Sequence, residues 1–195
     1  MALLDQRLRD EVRGETLALI REMGATTIIV THDPEDAMRI ADRIVLMRRG
    51  RIVQSGTAEE VYTKPANLYA ARFFCDFNEL PATAKGGMAE TIFGSFSTGA
   101  LPDGTAVMAC IRPSSLVIGV PELAERLLPG GAPWVQGRVR SRRFLGEVDV
   151  VEVDVAGLEK PLVQRIKGGA GPKAGTDVAV GIDAQEVLVF EAADA

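Results

Sequence analysis

The chain has 195 residues, 47% of them hydrophobic and 25% charged, with a net charge of −5. This composition is that of a globular protein, and basic and acidic residues are balanced on both sides of Leu80, which argues against nucleic acid as a partner. No apolar run reaches the length of a membrane span, and two cysteines with one histidine give neither a disulfide framework nor a multi-histidine metal site. We therefore expect a protein of a reducing compartment without a metal centre.

The first third of the sequence alternates helical and strand patterns. Asp5 caps a predicted helix that ends at Gly24. The β-branched run Thr26–Val30 predicts a strand that is buried on both faces, as in a parallel sheet. Asp33 and Pro34 then provide the N-cap and first residue of a second helix.

A hairpin and two short helices are predicted next. Residues 43–47 and 51–54 flank a turn that contains Gly50. A capping box at residues 57–60 begins a short helix, and a last helix is expected from about Asn67 to Phe74. Residues 78–81 are interpreted as a linker, so we expect one domain over residues 1–80 and another over 81–195.

The second domain has the pattern of a small β-barrel or sandwich. Glycine is frequent, and short strands with turn signals between them are predicted at residues 107–111, 115–118, 135–139, 148–155, 178–182 and 187–190. Residues 104–118 and 175–189 share Gly, Thr, Val and Ile in one register. This echo predicts a barrel built from two related halves, with chance similarity of two hairpins as the alternative.

His32 is the candidate functional residue of the first domain. It follows the predicted strand at the carboxyl edge, which is where open α/β sheets bind ligands. The helix that begins at Pro34 is expected to add free backbone amides, which suit a phosphate. Position alone does not identify a ligand, and a structural role for His32 is the alternative.

The segment TTIIVTHDPEDAMRIADRIVLMRRGRIVQSGTAEEVYTKP (residues 26–65) resembles the C-terminal part of an ABC-transporter nucleotide-binding domain. The resemblance implies that His32 is the switch histidine, which contacts the γ-phosphate of ATP and helps to orient the attacking water. Residues 2–5, Ala-Leu-Leu-Asp, resemble the D-loop, although Ala2 stands where serine is usual. By this resemblance Asp5 is the D-loop aspartate and a contributor to nucleotide binding.

The second half contains Ile111, Arg112 and Pro113, followed by Ser114. These residues resemble the Arg-Pro-Glu segment of the TOBE domain, the accessory barrel of importer ATPases, with Ser114 where glutamate is common. Residues 73–81 resemble the linker of importers of iron, polyamines and sugars, with a style closest to ferric-iron importers. The implied fold is an α/β C-terminal part of a P-loop NTPase-type nucleotide-binding domain, followed by a small all-β, OB-like TOBE barrel.

By resemblance the chain is the C-terminal portion of the motor subunit of an ABC importer, which couples ATP binding and hydrolysis to solute uptake. The parent protein would bind ATP and Mg²⁺, pair with a second ATP-binding subunit and contact transmembrane permease subunits. It would lie in the cytoplasm at the inner face of the membrane.

Three nucleotide-binding motifs are absent from the chain. The sequence has no G-x-x-x-x-G-K-[ST], no LSGGQ and no apolar strand ending in Asp-Glu. Because phosphoryl transfer depends on those groups, the isolated chain is predicted to bind no cofactor and to hydrolyse no ATP. Residues 168–173, Gly-Gly-Ala-Gly-Pro-Lys, are interpreted as a plain turn rather than a phosphate loop.

The alternative is a standalone regulatory or small-oxyanion-binding β-barrel without ATPase activity. Two basic clusters bear on it: one at the hairpin turn, Arg48, Arg49 and Arg51, and one on a predicted strand, Arg138, Arg140, Arg142 and Arg143. Each has a solvated surface as its simpler interpretation. Strand 26–30 has no predicted neighbours to cover its edges, so we expect the isolated chain to form a homo-oligomer, by strand exchange or otherwise.

Overall fold

A computed structural model describes residues 14–15, 18–20, 22–119 and 133–192. The chain separates into two compact units, Met1–Lys64 and Pro65–Ala195. This division comes earlier in the sequence than the boundary expected near residue 80. None of the helices in the described ranges is long and apolar enough to cross a membrane.

The first unit contains short elements around one hairpin. Residues 18–20 and 22 are helical, and the chain leaves this helix at Gly24, whose φ of 61° is the left-handed conformation expected there. Asp5, the predicted cap of this helix, lies outside the described residues. The remaining elements are α1 (Pro34–Ile40), β1 (Ile44–Arg48), β2 (Arg51–Gly56) and α2 (Ala58–Thr63).

Local capping and turn chemistry account for these elements. Asp33 is the N-cap of α1, and Thr57 forms a complete capping box with Glu60 at the start of α2. Arg49 and Gly50 have φ values of 50° and 76°, which give the tight turn that joins β1 to β2. The predicted second helix, hairpin and capping box are therefore confirmed.

The buried strand predicted at Thr26–Val30 is wrong. These residues form neither helix nor strand, and Ile28 and Val30 are 90% and 93% exposed. A strand needs a hydrogen-bonded neighbour, and in the described part of this unit β1 and β2 pair only with each other. The β-branched composition is therefore not sufficient to form a strand here.

The second unit begins with a helix and continues as a β-barrel-like domain. Its elements are α3 (Leu68–Phe74), β3 (Asn78–Lys85), β4 (Met88–Thr91), β5 (Gly94–Ser97), β6 (Ala106–Ile111), β7 (Leu116–Gly119), β8 (Val135–Phe144), β9 (Val148–Val155), β10 (Leu162–Lys167), β11 (Asp177–Ile182), a 3₁₀ turn (Ala184–Glu186) and β12 (Leu188–Glu191). Residues 78–81, expected to be a linker, begin β3 instead. They pair with β6 along its length, which places them inside the second unit.

In its described residues this domain contains two five-stranded antiparallel sheets. Their strand orders are β12-β6-β3-β4-β5 and β10-β9-β8-β11-β7. The short strand β7 follows β6 in sequence but pairs with β11, and β12 follows β11 but pairs with β6. Each half of the domain thus gives its last strand to the sheet of the other half.

The register of these exchanged strands confirms the predicted internal repeat. In one sheet Cys110 lies opposite Leu188. The repeat offset carries this pair onto Gly181 and Val117, which lie opposite each other in the second sheet. Two chance hairpins would have no reason to share pairing register, so we interpret the domain as a duplicated unit with reciprocal strand exchange.

The two halves share one hydrophobic core. It includes Leu80 and Ile111 of the first half and Val151, Val180 and Ile182 of the second. Asn78 joins the sheets at one edge, because its side-chain amide donates to the carbonyl of Val163 at 2.8 Å and accepts from the amide of the same residue at 2.6 Å. The side chain of Asn78 thus provides the hydrogen bonds between β3 and β10 that the two backbones do not form with each other.

Candidate functional site

His32 lies at the surface of the first unit, in the short segment before α1. This segment is held by two side chains: the hydroxyl of Thr31 accepts from the amide of Asp33, and Asp33 in turn caps α1. The imidazole is therefore presented on an ordered turn and is accessible to a ligand. The sequence predicted that His32 follows a strand and precedes a helix. In the structure it precedes the helix α1, but no strand comes before it in the described residues.

The free amides expected at the start of α1 are occupied. The Asp33 carboxylate accepts hydrogen bonds from the amides of Glu35 at 2.9 Å and Asp36 at 3.3 Å. This N-cap satisfies the amides that a phosphate would otherwise use. The expectation of amides free for phosphate is thus wrong for this conformation, and His32 stands there without that support.

Asp5, the second candidate residue, lies outside the described residues. Within the described ranges no group of three or more His, Cys, Asp or Glu side chains is arranged to hold a metal ion. The hairpin arginines Arg49 and Arg51 are exposed beside the β1–β2 turn.

The glycine loop at residues 168–173 binds an internal carboxylate. The amides of Gly169 and Gly171 donate to Oδ2 of Asp149 at 3.0 and 2.9 Å, and Arg142 donates to the same oxygen. Burial of Asp149 acts against ionisation, but these hydrogen bonds outweigh it and lower the pKa of the carboxyl. The loop is therefore a structural turn whose amides are used by the protein itself.

The arginine cluster on β8 is neutralised by carboxylates on neighbouring strands. Arg140 contacts Asp154 at 2.6 Å, and the other three pairs are Arg138–Asp177, Arg142–Asp149 and Arg143–Glu152. Because each arginine of this cluster has an acidic neighbour, the cluster is poorly suited to capture a free oxyanion. The simpler interpretation, a solvated sheet face, agrees with this arrangement.

Arg112, in the Arg-Pro segment, is buried. Its guanidinium lies 5.5 Å from the centre of the Phe77 ring and 3.5 Å from a carboxylate oxygen of Glu186. These contacts link the turn after β6 to the segment before β3 and to the 3₁₀ turn. The segment that resembles the TOBE motif therefore has a structural role in closing the domain.

A cleft in the second unit was not indicated by the sequence. It has a volume of about 1070 Å³ and lies between the start of β3 and the β9–β10 turn. Arg72 and Glu79 form a bidentate ion pair in it, with distances of 2.6 and 2.8 Å, and the hydrogen bond from Arg72 lowers the pKa of Glu79. The lining residues come from distant parts of the chain, so no local motif could have revealed the cleft.

Comparison with known proteins identifies the relatives of the chain. Residues 109–190 match the model of the TOBE domain family. The chain is 43% identical over 120 residues to the sulfate/thiosulfate import ATP-binding protein CysA 2 of Chromobacterium violaceum, covering 60% of this chain and 33% of that protein. It is 41% identical over 120 residues to the Fe(3+) ions import ATP-binding protein FbpC 2 of Rhizobium meliloti, covering 60% of this chain and 30% of that protein.

A third relative is the spermidine/putrescine import ATP-binding protein PotA of Haemophilus ducreyi, 45% identical over 43% of this chain and 22% of that protein. Among solved structures, the molybdate-bound cytoplasmic molybdate-binding protein ModG has a TM-score of 0.47 at 14% identity, covering 58% of this chain and 95% of that chain. The chain spans about a third or less of the length of these import proteins. Its residues 109–190 match the TOBE domain family, and it is similar in sequence to the ATP-binding proteins of importers.

Proposed function

We propose that this chain, a relative of the ATP-binding subunits of ABC importers, provides the switch-histidine region and TOBE domain of such a motor subunit. The observation that carries the proposal is the accessible His32 on a turn fixed by Thr31 and Asp33, in a chain 43% identical to an import ATP-binding protein. The function is ATP-driven solute uptake. The first unit acts at the nucleotide and the second is accessory.

His32 has the chemistry that the proposed role requires. An imidazole nitrogen can donate a hydrogen bond to a γ-phosphate oxygen, and its orientation is limited by the capped helix that follows it. Asp33 is engaged with the amides of α1, so it holds the turn and does not compete for His32. Asp5 is proposed as the D-loop aspartate by sequence resemblance alone.

ATP and Mg²⁺ are proposed to bind the complete motor, in which phosphate-loop and magnesium-ligand motifs accompany His32. The chain alone is proposed to be inactive, because one histidine cannot replace those groups. The test is release of inorganic phosphate by the purified chain with Mg²⁺ and ATP. No turnover above a protein-free control is expected, and turnover that disappears in His32→Ala would overturn this part of the proposal.

The partners follow from the motor role. We propose a second ATP-binding subunit and transmembrane permease subunits, with the protein held at the cytoplasmic face of the membrane. The isolated chain is proposed to associate with itself, since Ile28 and Val30 of the first unit are almost fully exposed and Val45, Met47 and Ile52 of its hairpin are at least half exposed. Exposed apolar side chains of this kind favour contact with another protein surface.

The identity of the transported solute is the most specific part of the proposal. Ferric iron is favoured by residues 73–81, whose residue pattern resembles the linker of ferric-iron importers. The names of the three import proteins described above give three different classes of solute, and their identities to this chain lie between 41% and 45%. A direct test is iron uptake by a strain that lacks its own ferric-iron import ATPase and expresses the complete subunit; unchanged uptake of iron with restored uptake of sulfate would contradict the iron assignment.

The standalone oxyanion-binding alternative makes a different prediction. It requires the purified chain to take up sulfate or molybdate, and the paired arginines of β8 argue against this. Titration calorimetry with both anions distinguishes the two functions. Heat that saturates and is lost in Arg140→Gln would favour the binding module over the motor subunit.

A further inference from the structure

The cleft of the second unit lies along the edge of a strand. It is lined by the first four residues of β3, from Asn78 to Pro81, and by Leu162 and Val163 at the start of β10. Consecutive side chains of a strand point to opposite faces of its sheet, so a cavity that touches all four residues lies beside the strand rather than over one face. The backbone of β3 therefore borders the cleft.

Along the cleft, β3 is paired on one side only. Residues 78–83 pair with β6, whereas β4 pairs with β3 only at Ala84 and Lys85. Beyond those pairs the two strands separate, and Glu90 and Thr91 at the end of β4 line the cleft. Among the described residues, the edge of β3 that faces away from β6 thus has no paired strand beside the cleft.

Pro81 shows which backbone groups lie on this open edge. Because proline has no N–H, its pair with Met108 is a non-hydrogen-bonded pair, and the pairs on either side of it bond to β6. The amide of Ala84 follows the same alternation, since it donates to the carbonyl of Thr105 at 2.9 Å. The N–H and C=O of Glu79 and the C=O of Pro81 therefore point away from β6, towards the cleft.

The strand across the cleft does not offer a second open edge there. β10 is the last strand of its sheet, but the amide and carbonyl of Val163 are both hydrogen-bonded to the side chain of Asn78. The amide of Arg165 donates to the carbonyl of Pro113 at 3.1 Å. A strand that enters the cleft would therefore pair with β3.

The side chains of the cleft combine apolar surface with an excess of negative charge. Phe77, Ile92 and Leu158 are among the apolar residues that line it. Its charged residues are four carboxylates and two cations: Asp76, Glu79, Glu90, Glu159, Arg72 and Lys160. The guanidinium of Arg72 is already paired with Glu79. A partner that carries apolar and basic side chains would complement this lining.

We propose that the cleft binds an extended, basic peptide segment of another protein, which adds as a strand to the open edge of β3. In this mode main-chain hydrogen bonds give affinity, and alternate side chains give specificity. One set of side chains meets the apolar lining and the other meets the carboxylates of Glu90 and Glu159. The cleft volume of about 1070 Å³ is at the upper end of small-molecule sites, and four residues of a strand span about 13 Å. Because the edge lies between β4 and β10, a single strand fits it better than the edge of a whole sheet.

This peptide site goes beyond the proposed motor function and does not depend on it. It uses only residues of the second unit and involves neither ATP nor His32. A chain without any role at a nucleotide could still bind the peptide. A working motor subunit could equally lack the site, so the two proposals fail separately.

Fluorescence anisotropy of a labelled hexapeptide of alternating lysine and valine, titrated with the full chain, tests the pairing. Saturable binding is expected, and a peptide of alternating glutamate and valine is expected to bind roughly tenfold more weakly or worse. In an extended peptide the lysine amides face one edge and the valine amides the other. N-methylation of one set is therefore expected to weaken binding roughly tenfold, and that of the other set to have little effect. No saturable binding up to about 1 mM, or equal binding of the parent and both methylated peptides, overturns the proposal.

Variants of the chain locate the binding in the cleft. Glu159→Lys is expected to weaken binding of the lysine–valine peptide roughly tenfold. Glu147→Lys changes the charge equally at an exposed position that does not line the cleft, and it is the matched control. Pro81→Ala adds an N–H to the open edge and is expected to tighten binding roughly fivefold, the effect of one hydrogen bond. Equal effects of the two lysine variants, or unchanged binding in Pro81→Ala together with full displacement of the peptide by spermidine, overturn the proposal.

Discussion

Asn78 gives the sharpest test of how the second unit is held together. Its amide is only 5% exposed and makes both hydrogen bonds to the backbone of Val163, which joins one sheet to the other. Asn78→Ala removes both bonds and leaves the amide and carbonyl of Val163 without these partners. The cost of losing both hydrogen bonds is expected to appear in the free energy of unfolding.

The size of the effect follows from those two bonds. A hydrogen bond within a protein contributes about 1 kcal/mol, and a buried group left without a partner costs about 1–3 kcal/mol. Because Val163 is only partly buried, water can relieve some of this cost. We therefore expect a loss of about 3 kcal/mol, or about 10 °C in the melting temperature.

Urea denaturation followed by the fluorescence of Trp134 measures this loss. Asn67→Ala is the matched control, because the side chain of Asn67 makes one hydrogen bond, accepted from the amide of Ala70 at the start of α3. That change is expected to cost about 1 kcal/mol. If Asn78→Ala is no more destabilising than Asn67→Ala, the cross-sheet bridge does not hold the domain as argued.

Three further predictions concern single residues of the same unit. The carboxyl of Asp149 has a lowered pKa in the folded state, so its contribution to stability is complete above the unfolded pKa of about 3.9 and is lost as pH falls through the folded pKa. Asp149→Asn should therefore lower the free energy of unfolding at pH 7 and make that free energy depend less on pH below pH 4. Urea titrations in which the variant loses stability below pH 4 as steeply as the unmodified chain would contradict this. Burial raises the pKa of the Cys110 thiol to about 12, so a maleimide at pH 8 should label Cys75 and spare Cys110 until the chain unfolds, as read by mass spectrometry. Gly137→Ala should destabilise by about 1–3 kcal/mol in urea titration, because the new methyl would lie 2.6 Å from Cγ1 of Val153, and a neutral result would show that the sheet yields easily.

The sequence predicted the elements whose signals are local. The cap at Asp33, the turn at Gly50 and the capping box at Thr57 each depend on residues within four positions, and all three form as expected. The repeat was also readable, because Val107–Ile111 and Val178–Ile182 keep the same apolar pattern. What the repeat could not reveal was that each half exchanges its last strand with the other.

The errors arose where tertiary contacts decide the outcome. Thr26–Val30 has strong β propensity, but propensity cannot supply the neighbouring strand that its backbone needs. Residues 78–81 contain Pro81 and polar side chains, so they were interpreted as a linker. In the structure Pro81 is exposed on β3. Asn78 hydrogen-bonds to Val163, which is distant in the sequence and comes close only when the chain folds.

The candidate residue His32 could be selected from the sequence, whereas its surroundings could not be predicted. His32 stands out as the sole histidine of the chain, and its resemblance to a switch histidine rests on forty consecutive residues. Its exposure and the engagement of the α1 amides by Asp33 required the structure. The cleft was invisible in the sequence, because its lining residues from Arg72 to Val163 meet only after folding.

The central claim, that His32 is the switch histidine of an import motor, is tested most directly by transplantation. The part of the Chromobacterium violaceum import ATP-binding protein that corresponds to this chain is replaced by this chain, and the ATP turnover of the chimaera is measured with His32 and with His32→Ala, using Ser114→Ala as a surface control. Loss of a transition-state contact predicts a fall of roughly 100-fold or more in His32→Ala, with nucleotide binding retained and Ser114→Ala unchanged. Equal turnover of the His32 and His32→Ala chimaeras would contradict the account.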